Sequence, residues 1–289
     1  MKPEPTSSPP PLNPGLYLVA TPIGNARDIT LRALDILREA DVIAAEDTRT
    51  ARKLMEIHAV ALGNRPLIAY HDHSGEAGRA GLMKLIREGR SVAYVSEAGT
   101  PLISDPGFAL ARAVGEAGGL VTAAPGASAV LAALSLAGLP SDRFLFAGFA
   151  PTTRAARLRW LEELVGVPAT LVIYESPRRL GDLLTDLVET AGADRQAAVA
   201  RELTKKFEEV LRGSLGELAA MLDERTLKGE VVVLVDRGRV QVADETMEAA
   251  LRRALETMSL KDAAATVAEA YGLKRRKVYQ AALELEKDG

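Results

Sequence analysis

The stretch Tyr94–Gly107, YVSEAGTPLISDPG, combines carboxylate, hydroxyl, glycine and proline residues in one short loop. It follows an apolar run, Ser91–Val95, that is typical of a buried parallel strand. Open α/β sheets bind their ligands at the carboxyl ends of such strands. Gly99 allows the backbone to approach a ligand closely, and Pro101 and Pro106 fix the path of the chain on either side. The stretch therefore predicts a ligand-binding loop, and the alternative is an ordinary connection between a strand and a helix.

Two clusters of acids beside arginines follow other apolar runs. Glu46–Arg49 comes directly after Val42–Ala45, and Glu175–Arg179 comes directly after Thr170–Tyr174. A carboxylate at such a position is able to orient or deprotonate a substrate hydroxyl. The alternative for each cluster is an ion pair that ties the sheet to the next helix. Because both clusters and the glycine-containing loop fall at strand ends, together they favour a functional site.

Several other kinds of site are excluded or disfavoured. The chain has no cysteine, which excludes disulfides, thiolate metal sites and cysteine nucleophiles. No GxGxxG or Walker A motif follows a predicted strand, so dinucleotide, class I methyltransferase and P-loop sites lack support. His71 and His73 point the same way in an extended segment, which leaves a metal site open. We favour a surface loop there and predict no metal, because no third ligand has matching spacing.

The elements that position these residues divide the 289-residue chain into two α/β domains and an appendage. Strands alternate with helices through residues 15–124, which predicts a parallel sheet. Strands are denser through residues 125–240, which predicts a mixed sheet with antiparallel neighbours. The predicted strands are Leu16–Ala20, Val42–Ala45, Leu67–Tyr70, Ser91–Val95 and Leu120–Ala123, then Phe144–Phe146, Thr170–Tyr174, Ala197–Ala200 and Glu230–Val235.

The two ends of the chain differ from the middle. Residues 1–14 are rich in proline and have no apolar core segment, so we predict a disordered tail and not a signal peptide. Residues 241–289 are charged and helical in pattern, with two predicted helices around Tyr271–Gly272. The second helix opens with Lys274, Arg275, Arg276 and Lys277. This pattern fits either a helix-turn-helix or a plain helical hairpin with a solvated basic face.

The charge and hydrophobicity of the chain indicate its cellular compartment and the kinds of partner that it can bind. The net charge is −3, and 47% of the residues are hydrophobic. Any nucleic-acid binding must therefore come from local basic patches, since there is no global basic field. No apolar run approaches the length of a membrane span, so we predict a cytoplasmic protein without membrane contact.

Eight motifs follow one another along the chain: LYLVATPIGNARDITLRALDIL, DVIAAEDTR, HDHS, SEAGTPLISDPG, PGASAVLAALSLAGLPSDRFLFAGF, YESPRRL, ARELTKKFEE and KGEVVVLV. In these motifs and their order, the chain resembles the ribosomal RNA small subunit methyltransferase I family. Members are 16S rRNA cytidine-2′-O-methyltransferases with the tetrapyrrole-methylase fold, which is the class III S-adenosylmethionine-dependent fold. The resemblance covers roughly Leu16 to Val235, and the helical tail fits too.

The chain departs from the family pattern at a few positions. Glu97 stands where the family usually has an aspartate, so its carboxylate reaches one methylene farther. Ala127 and Ser128 replace a common Pro–Cys pair, and Ser74 replaces an asparagine. The first change keeps the acidic character of the loop and alters its contact geometry.

The resemblance implies that S-adenosyl-L-methionine binds in the cleft between the two domains, against the loop that contains Glu97. Carried over motif by motif, the cofactor-binding residues are Pro22, Ile23, Gly24, Glu97, Gly99, Thr100, Ile103, Ser128, Ala129, Glu175, Ser176, Leu203 and Gly229. The resemblance does not assign the groups that orient or deprotonate the ribose hydroxyl. For that role we predict Glu46, Asp47 and Arg49, which are acids beside an arginine at a strand end.

The implied partner is 16S rRNA within the 30S subunit, and the implied assembly is a homodimer. The predicted RNA contacts are the local cations Arg49, Arg52, Lys53, Arg178, Arg179, Lys205, Lys206, Lys274, Arg275, Arg276 and Lys277. Two other functions remain open at this point. One is methylation of a tetrapyrrole or other small molecule on the same fold, and the other is a non-catalytic RNA-binding or assembly role.

Overall fold

A computed structural model of the chain describes residues 11–71, 74–104, 107–223, 225, 227–238 and 247–287. Predictions that concern the first ten residues of the tail, His73, Pro106 or the junction at 240–241 lie outside these ranges.

The first half of the chain forms the predicted parallel sheet of five strands, in the order β3-β2-β4-β1-β5. Helices cover both faces, as expected for a parallel sheet, and β2 and β4 are buried along their whole length. The strand bounds are β1 Gly15–Val19, β2 Val42–Ala45, β3 Leu67–Ala69, β4 Ser91–Val95 and β5 Val121–Ala124.

Four helices cover this sheet: α1 Leu31–Glu39, α2 Thr48–Ile57, α3 Gly75–Arg87 and α4 Phe108–Glu116. The first two pack on one face and the last two on the other, through separate apolar cores. Thr30 caps α1 by accepting a hydrogen bond from the Ala33 amide.

The second half forms the predicted mixed sheet, in the order β6-β7-β10-β8-β9. Strands β6 and β7 are parallel, and the other neighbours are antiparallel. The strand bounds are β6 Phe144–Phe149, β7 Thr170–Glu175, β8 Gln196–Arg201, β9 Glu209–Ser214 and β10 Val231–Val235. The sequence did not predict β9. It is an edge strand without a buried residue, so it lacks the apolar run by which the central strands were found.

Helices lie on both faces of the second sheet: α5 Ala129–Ala137, α6 Arg154–Leu164, α7 Leu180–Ala191 and α8 Leu215–Asp223. Helix α5 packs on one face, and the other three pack on the opposite face. Helices α7 and α8 were not predicted from the sequence. Ser128 stands at the cap position of α5, but its side chain makes no capping hydrogen bond.

The C-terminal segment is a three-helix unit with α9 Met247–Leu255, α10 Leu260–Ala270 and α11 Arg275–Lys287. The unit has a small apolar core of its own, which includes Leu251, Val267 and Val278. The two helices predicted around Tyr271–Gly272 are α10 and α11. Within the described ranges, every helix is too short or too polar to cross a lipid bilayer.

Candidate active site

A cleft with a volume of about 480 Å³ lies between the carboxyl ends of the first sheet and one end of the second. This volume falls within the range of small-molecule sites, roughly 300–1,000 Å³. Both halves of the chain contribute to the wall, which consists of Ile23, Glu46, Glu97, Ala98, Gly99, Thr100, Ile103, Ser104, Ser128, Ala129, Phe149, Tyr174, Glu175, Ser176, Pro177, Gly229, Glu230, Val231 and Val232.

The loop after β4 is held in place by hydrogen bonds to neighbouring segments. Gly99 and Thr21 exchange two backbone hydrogen bonds of 2.9 and 3.0 Å. The Ser96 hydroxyl donates to the Gly99 carbonyl at 2.8 Å, and the Thr100 hydroxyl donates to the Ala127 carbonyl at 2.9 Å. The φ angle of Gly99 is +84°, a left-handed conformation that glycine adopts without steric cost. The loop is therefore a preformed wall of the cleft.

The same loop contains two non-glycine residues in the left-handed region, Leu102 at φ +73° and Ser104 at φ +61°. Such conformations cost of order 1–3 kcal/mol each and cluster at ligand-binding segments. Ser104 lines the cleft. The strained residues therefore lie in the predicted ligand-binding loop, a kind of segment where such outliers are common.

Glu46 and Glu97 face the cleft together from the ends of β2 and β4. The backbone amide of Glu97 donates a hydrogen bond of 3.1 Å to Glu46 Oε2. This bond orients the Glu46 carboxylate, while its other oxygen has no protein donor among the hydrogen bonds of the described residues. The structure thus places one predicted catalytic residue and one predicted cofactor residue side by side.

Asp47 and Arg49 are arranged differently from Glu46, and neither lines the cleft. Asp47 caps α2 and accepts hydrogen bonds from the Arg49 amide at 2.8 Å and from its guanidinium at 2.8 and 3.2 Å. These hydrogen bonds lower the pKa of Asp47 to about 2. A carboxylate with so low a pKa is a weak base near neutral pH. Of the three predicted catalytic residues, only Glu46 is placed to act in the cleft.

The second cluster, after β7, is an ion pair at the rim of the cleft. The Glu175 side chain is only 1% exposed, and Oε2 lies 3.0 Å from Arg179 Nη2. Glu175 Oε1 accepts a hydrogen bond from the Ser176 amide at 2.8 Å. Arg179 donates to the carbonyls of Ala150 and Pro151. The cluster therefore forms an ion pair, as one of its two interpretations expected. Glu175 also lines the cleft.

Glu175 Oε2 is nevertheless a buried carboxylate oxygen that accepts no hydrogen bond within the described part of the chain. Buried polar atoms are usually satisfied, and an exception calls for a specific partner. Here that partner is the Arg179 guanidinium, whose Nη2 lies 3.0 Å from the oxygen.

A network of charges lies beside the part of the cleft wall that Gly229 and Glu230 form. Glu202 Oε1 accepts hydrogen bonds from Lys205 Nζ at 2.9 Å and from the Glu230 amide at 3.1 Å. Lys205 Nζ also donates to Glu230 Oε2 at 2.9 Å. Gly229 has a φ of +95°, and a β-carbon at this position would lie 2.2 Å from Glu202 Oε1. Any side chain at this position would collide with Glu202, so the network keeps its geometry only if residue 229 is glycine.

The structure brings together most of the predicted cofactor-binding residues. Ten of the thirteen line the cleft, while Pro22, Gly24 and Leu203 do not. Leu203 is buried in the core behind the cleft. Gly24 lies against Thr204 and Lys205, where the two halves of the chain meet, since the Asn25 amide donates to Thr204 Oγ1 at 3.1 Å.

The predicted RNA-binding cations fall into two groups. Arg179 and Lys205 are half-buried and paired with glutamates. The others project from the surface: Arg49, Arg52, Lys53, Arg178, Lys206, Lys274, Arg275, Arg276 and Lys277. Within the described ranges, no group of three or more potential metal ligands occurs, and His73 lies outside those ranges.

Sequence reasoning missed several residues of the cleft wall, among them Phe149, Tyr174 and Glu230. Tyr174 precedes the predicted cluster by one residue, and Glu230 follows Gly229 by one. The strand pattern could have indicated both residues as site candidates, since each lies at the end of a predicted strand. Phe149 gave no such signal, because the predicted strand stopped at Phe146.

Comparison with known proteins places this cleft within a family. Residues 15–219 match the model of the tetrapyrrole (corrin/porphyrin) methylases, and residues 241–286 match that of the RsmI C-terminal HTH domain. Ribosomal RNA small subunit methyltransferase I of Mesorhizobium japonicum is 48% identical, over 96% of this chain and 94% of that protein. The protein of the same name from Escherichia coli O157:H7 is 44% identical, over 93% and 94%.

The chain belongs to the ribosomal RNA small subunit methyltransferase I family. This confirms the resemblance seen in the sequence motifs. A solved uroporphyrin-III-C-methyltransferase from Thermus thermophilus has the same fold, with a TM-score of 0.54 and 27% identity over 78% of this chain and 94% of that one. The predicted fold class is therefore confirmed, and the match to an HTH domain model favours the helix-turn-helix alternative for the C-terminal unit.

Proposed function

We propose that the protein transfers a methyl group from S-adenosyl-L-methionine to the ribose 2′-oxygen of a cytidine in the decoding region of 16S rRNA. One observation carries this proposal: in a chain of this family, a preformed cleft of about 480 Å³ joins the loop after β4 to the Glu175–Gly229 side of the second sheet. The substrate is small-subunit RNA, within the 30S particle.

The residues of the cleft fit such a methyl donor. Four glutamates line the cleft, and none of its lining residues among those described is a lysine or an arginine. Outside the lining, Arg179 and Lys205 pair with Glu175 and Glu230, so the negative charge of the cleft comes mainly from Glu46 and Glu97. Negative charge in the cleft favours a sulfonium cation. The apolar side chains of Ile23 and Val232 offer a surface for a flat ring. The residues Gly99, Thr100, Ser128, Ser176 and Gly229 would hold the remainder of the molecule.

The reaction requires little beyond positioning and the removal of one proton. When bound, S-adenosyl-L-methionine would supply the methyl group to the ribose oxygen and would leave as a neutral thioether. Glu46 accepts the proton of the attacking hydroxyl, and the loop that contains Gly99 fixes the direction of attack.

The basic groups support RNA over a small substrate. Lys274, Arg275, Arg276 and Lys277 are all exposed and open helix α11. A helix-turn-helix places its second helix on nucleic acid. Methylation of a tetrapyrrole, the alternative suggested by the wider fold family, gives these cations no role.

Replacing Gly229 with alanine should weaken the binding of S-adenosylhomocysteine about tenfold, which corresponds to about 1.4 kcal/mol. The new β-carbon meets the Glu202 side chain, and an alanine at φ +95° is strained. Isothermal titration calorimetry measures the change. Gly166→Ala is the matched control, because a β-carbon there meets no atom within 4 Å. Equal affinities for the two variants would contradict the assignment of Gly229 to the cofactor site.

Replacing Lys274, Arg275, Arg276 and Lys277 together with glutamine should weaken RNA binding and flatten its dependence on salt. Each phosphate contact contributes about −0.7 to −0.9 to the slope of log K against log salt concentration. Filter binding at several salt concentrations measures the slope. Lys84→Gln with Arg112→Gln is the control, because Lys84 pairs with Glu88 at the end of α3 and Arg112 pairs with Glu116 on α4. An unchanged slope in the tail variant would exclude this helix from the RNA interface.

The experiment that tests the function is transfer of labelled methyl from S-adenosylmethionine to small-subunit RNA. The RNA is offered free and within 30S particles that lack the modification. We expect label in the small-subunit RNA and none in large-subunit RNA. Binding of the cofactor without labelling of RNA would favour the small-molecule alternative. Absence of cofactor binding would favour the non-catalytic role.

A further inference from the structure

An aromatic ring stands at the open rim of the cleft. Phe149 lines the cleft, yet its side chain is 59% exposed. Its ring contacts Tyr174 edge to face, with the centroids 5.5 Å apart and the planes at 65°. Tyr174 makes a similar contact with Phe146 at 4.8 Å. A large apolar ring in this position is supported from behind and open to solvent in front.

A β-bulge in β6 is what brings Phe149 to this face of the sheet. Phe146 pairs with Val172, whereas Gly148 pairs with Ile173 and Phe149 with Tyr174, so Ala147 is an extra residue. Strict alternation from Phe146 would direct residue 149 to the opposite face. Gly148 absorbs the bulge at φ +72°. Bulges of this kind re-aim side chains next to active sites, and this one directs an exposed ring toward the cleft.

The position of the ring indicates which ligand it meets. The inner wall of the cleft already contains buried apolar residues, Ile23, Val231 and Val232, that suit the methyl donor. Phe149 is far more exposed than these residues, so its ring is accessible to a substrate that enters the cleft from solvent. A nucleotide that presents its ribose 2′-hydroxyl to the cleft has to leave the RNA stack. Unstacked bases are commonly stacked on aromatic side chains, which restores the lost contact.

We propose that Phe149 is the platform on which the base of the target nucleotide stacks while its 2′-oxygen is methylated. This inference rests on the proposed function and adds a positioning residue for the substrate. The flat ring accepts any base, so it contributes to the placement of the ribose and not to the choice of sequence. Tyr174 supports the ring from behind and keeps its exposed face toward the cleft.

The test compares Phe149→Ala, Phe149→Leu and Phe149→Trp on 30S particles. Base stacking on an aromatic side chain is worth about 1–3 kcal/mol, so kcat/KM for RNA should fall about 5- to 150-fold in Phe149→Ala. Leucine should fail to restore it, because it has apolar bulk without a flat face, and tryptophan should restore it. The Kd of S-adenosylhomocysteine should stay unchanged in all three. Phe144→Ala is the control, since Phe144 is an exposed ring at the other end of β6.

Three outcomes would overturn the inference. A parallel loss of cofactor affinity in Phe149→Ala would assign the ring to the adenine of the cofactor. Full activity of Phe149→Leu would assign it to simple apolar packing, and full activity of Phe149→Ala would leave it without a role. The wild-type protein separates this test from that of the proposed function. If wild type does not label RNA, the function fails; if it does and Phe149→Ala matches it, only the platform fails.

Discussion

Replacing Glu46 with glutamine should lower kcat for RNA methylation about 10²- to 10⁴-fold, the range expected when a general base is removed. Glutamine keeps an oxygen that can accept the hydrogen bond from the Glu97 amide, now 3.1 Å from Glu46 Oε2. The loop after β4 should therefore keep its place, and the Kd of the cofactor should change little. The loss should appear in kcat and not in KM, because the carboxylate acts in the proton-transfer step and not in substrate binding.

Asp47→Asn is the matched control for this variant. Asparagine caps helices about as well as aspartate, so α2 should remain intact. Asp47 lies outside the cleft wall, and its hydrogen bonds to Arg49 hold its pKa at about 2. We expect near wild-type kcat. If Glu46→Gln keeps full turnover with intact cofactor binding, Glu46 is not the base. If Asp47→Asn is instead the inactive variant, the roles of the two acids must be exchanged.

Replacing Asp186 with alanine should lower the free energy of unfolding by about 3–5 kcal/mol, the cost of breaking a buried ion pair from one side. Asp186 Oδ2 lies 2.7 Å from Arg157 Nε, and both side chains are at most 3% exposed. Arg154 Nε contacts the other oxygen at 3.1 Å. Removal of the carboxylate leaves the Arg157 guanidinium buried between α6 and α7 without its counter-ion.

Urea unfolding followed by tryptophan fluorescence measures this change. Trp160 is the single tryptophan of the chain and lies on α6 against the core of the second sheet. Glu189→Ala is the control, because Glu189 pairs with Arg154 at the surface, where such pairs contribute about 0–1 kcal/mol. Combining Asp186→Leu with Arg157→Met should recover most of the stability, since apolar residues of similar size replace buried ion pairs well. A loss in Asp186→Ala no larger than that in Glu189→Ala would contradict this account.

The sequence predicted the strands that are buried on both faces. The bounds of β2 and β4 were predicted to the residue, because each is a short apolar run ended by polar residues. Edge strand β9 lacks that signal, since each of its residues is at least partly exposed. The bulge in β6 was also missed, because its extra residue shows itself only in the pairing with β7. The local sequence pattern therefore predicts where the central strands lie, but not how the edge strands pair with their neighbours.

Within the candidate site, the sequence predicted which segments meet but not what each side chain does there. The cluster Glu46–Arg49 was one hypothesis at the sequence level. The structure separates it into a carboxylate that faces the cleft and an ion pair that caps α2. Lys205 was expected to contact RNA, yet it lies between Glu202 and Glu230. These differences depend on distances between residues far apart in the chain, which no local pattern encodes.

The measurement that tests the central claim most directly is the position of the transferred methyl group. A 2′-O-methyl group blocks alkaline cleavage of the adjacent phosphodiester, because the attacking hydroxyl is lost, whereas a methyl group on a base does not. RNA labelled by the wild-type protein should therefore release its label in an alkali-resistant dinucleotide whose methylated nucleoside is cytidine. Label in mononucleotides, or on a nucleoside other than cytidine, would contradict the proposed 2′-O-methylation of cytidine.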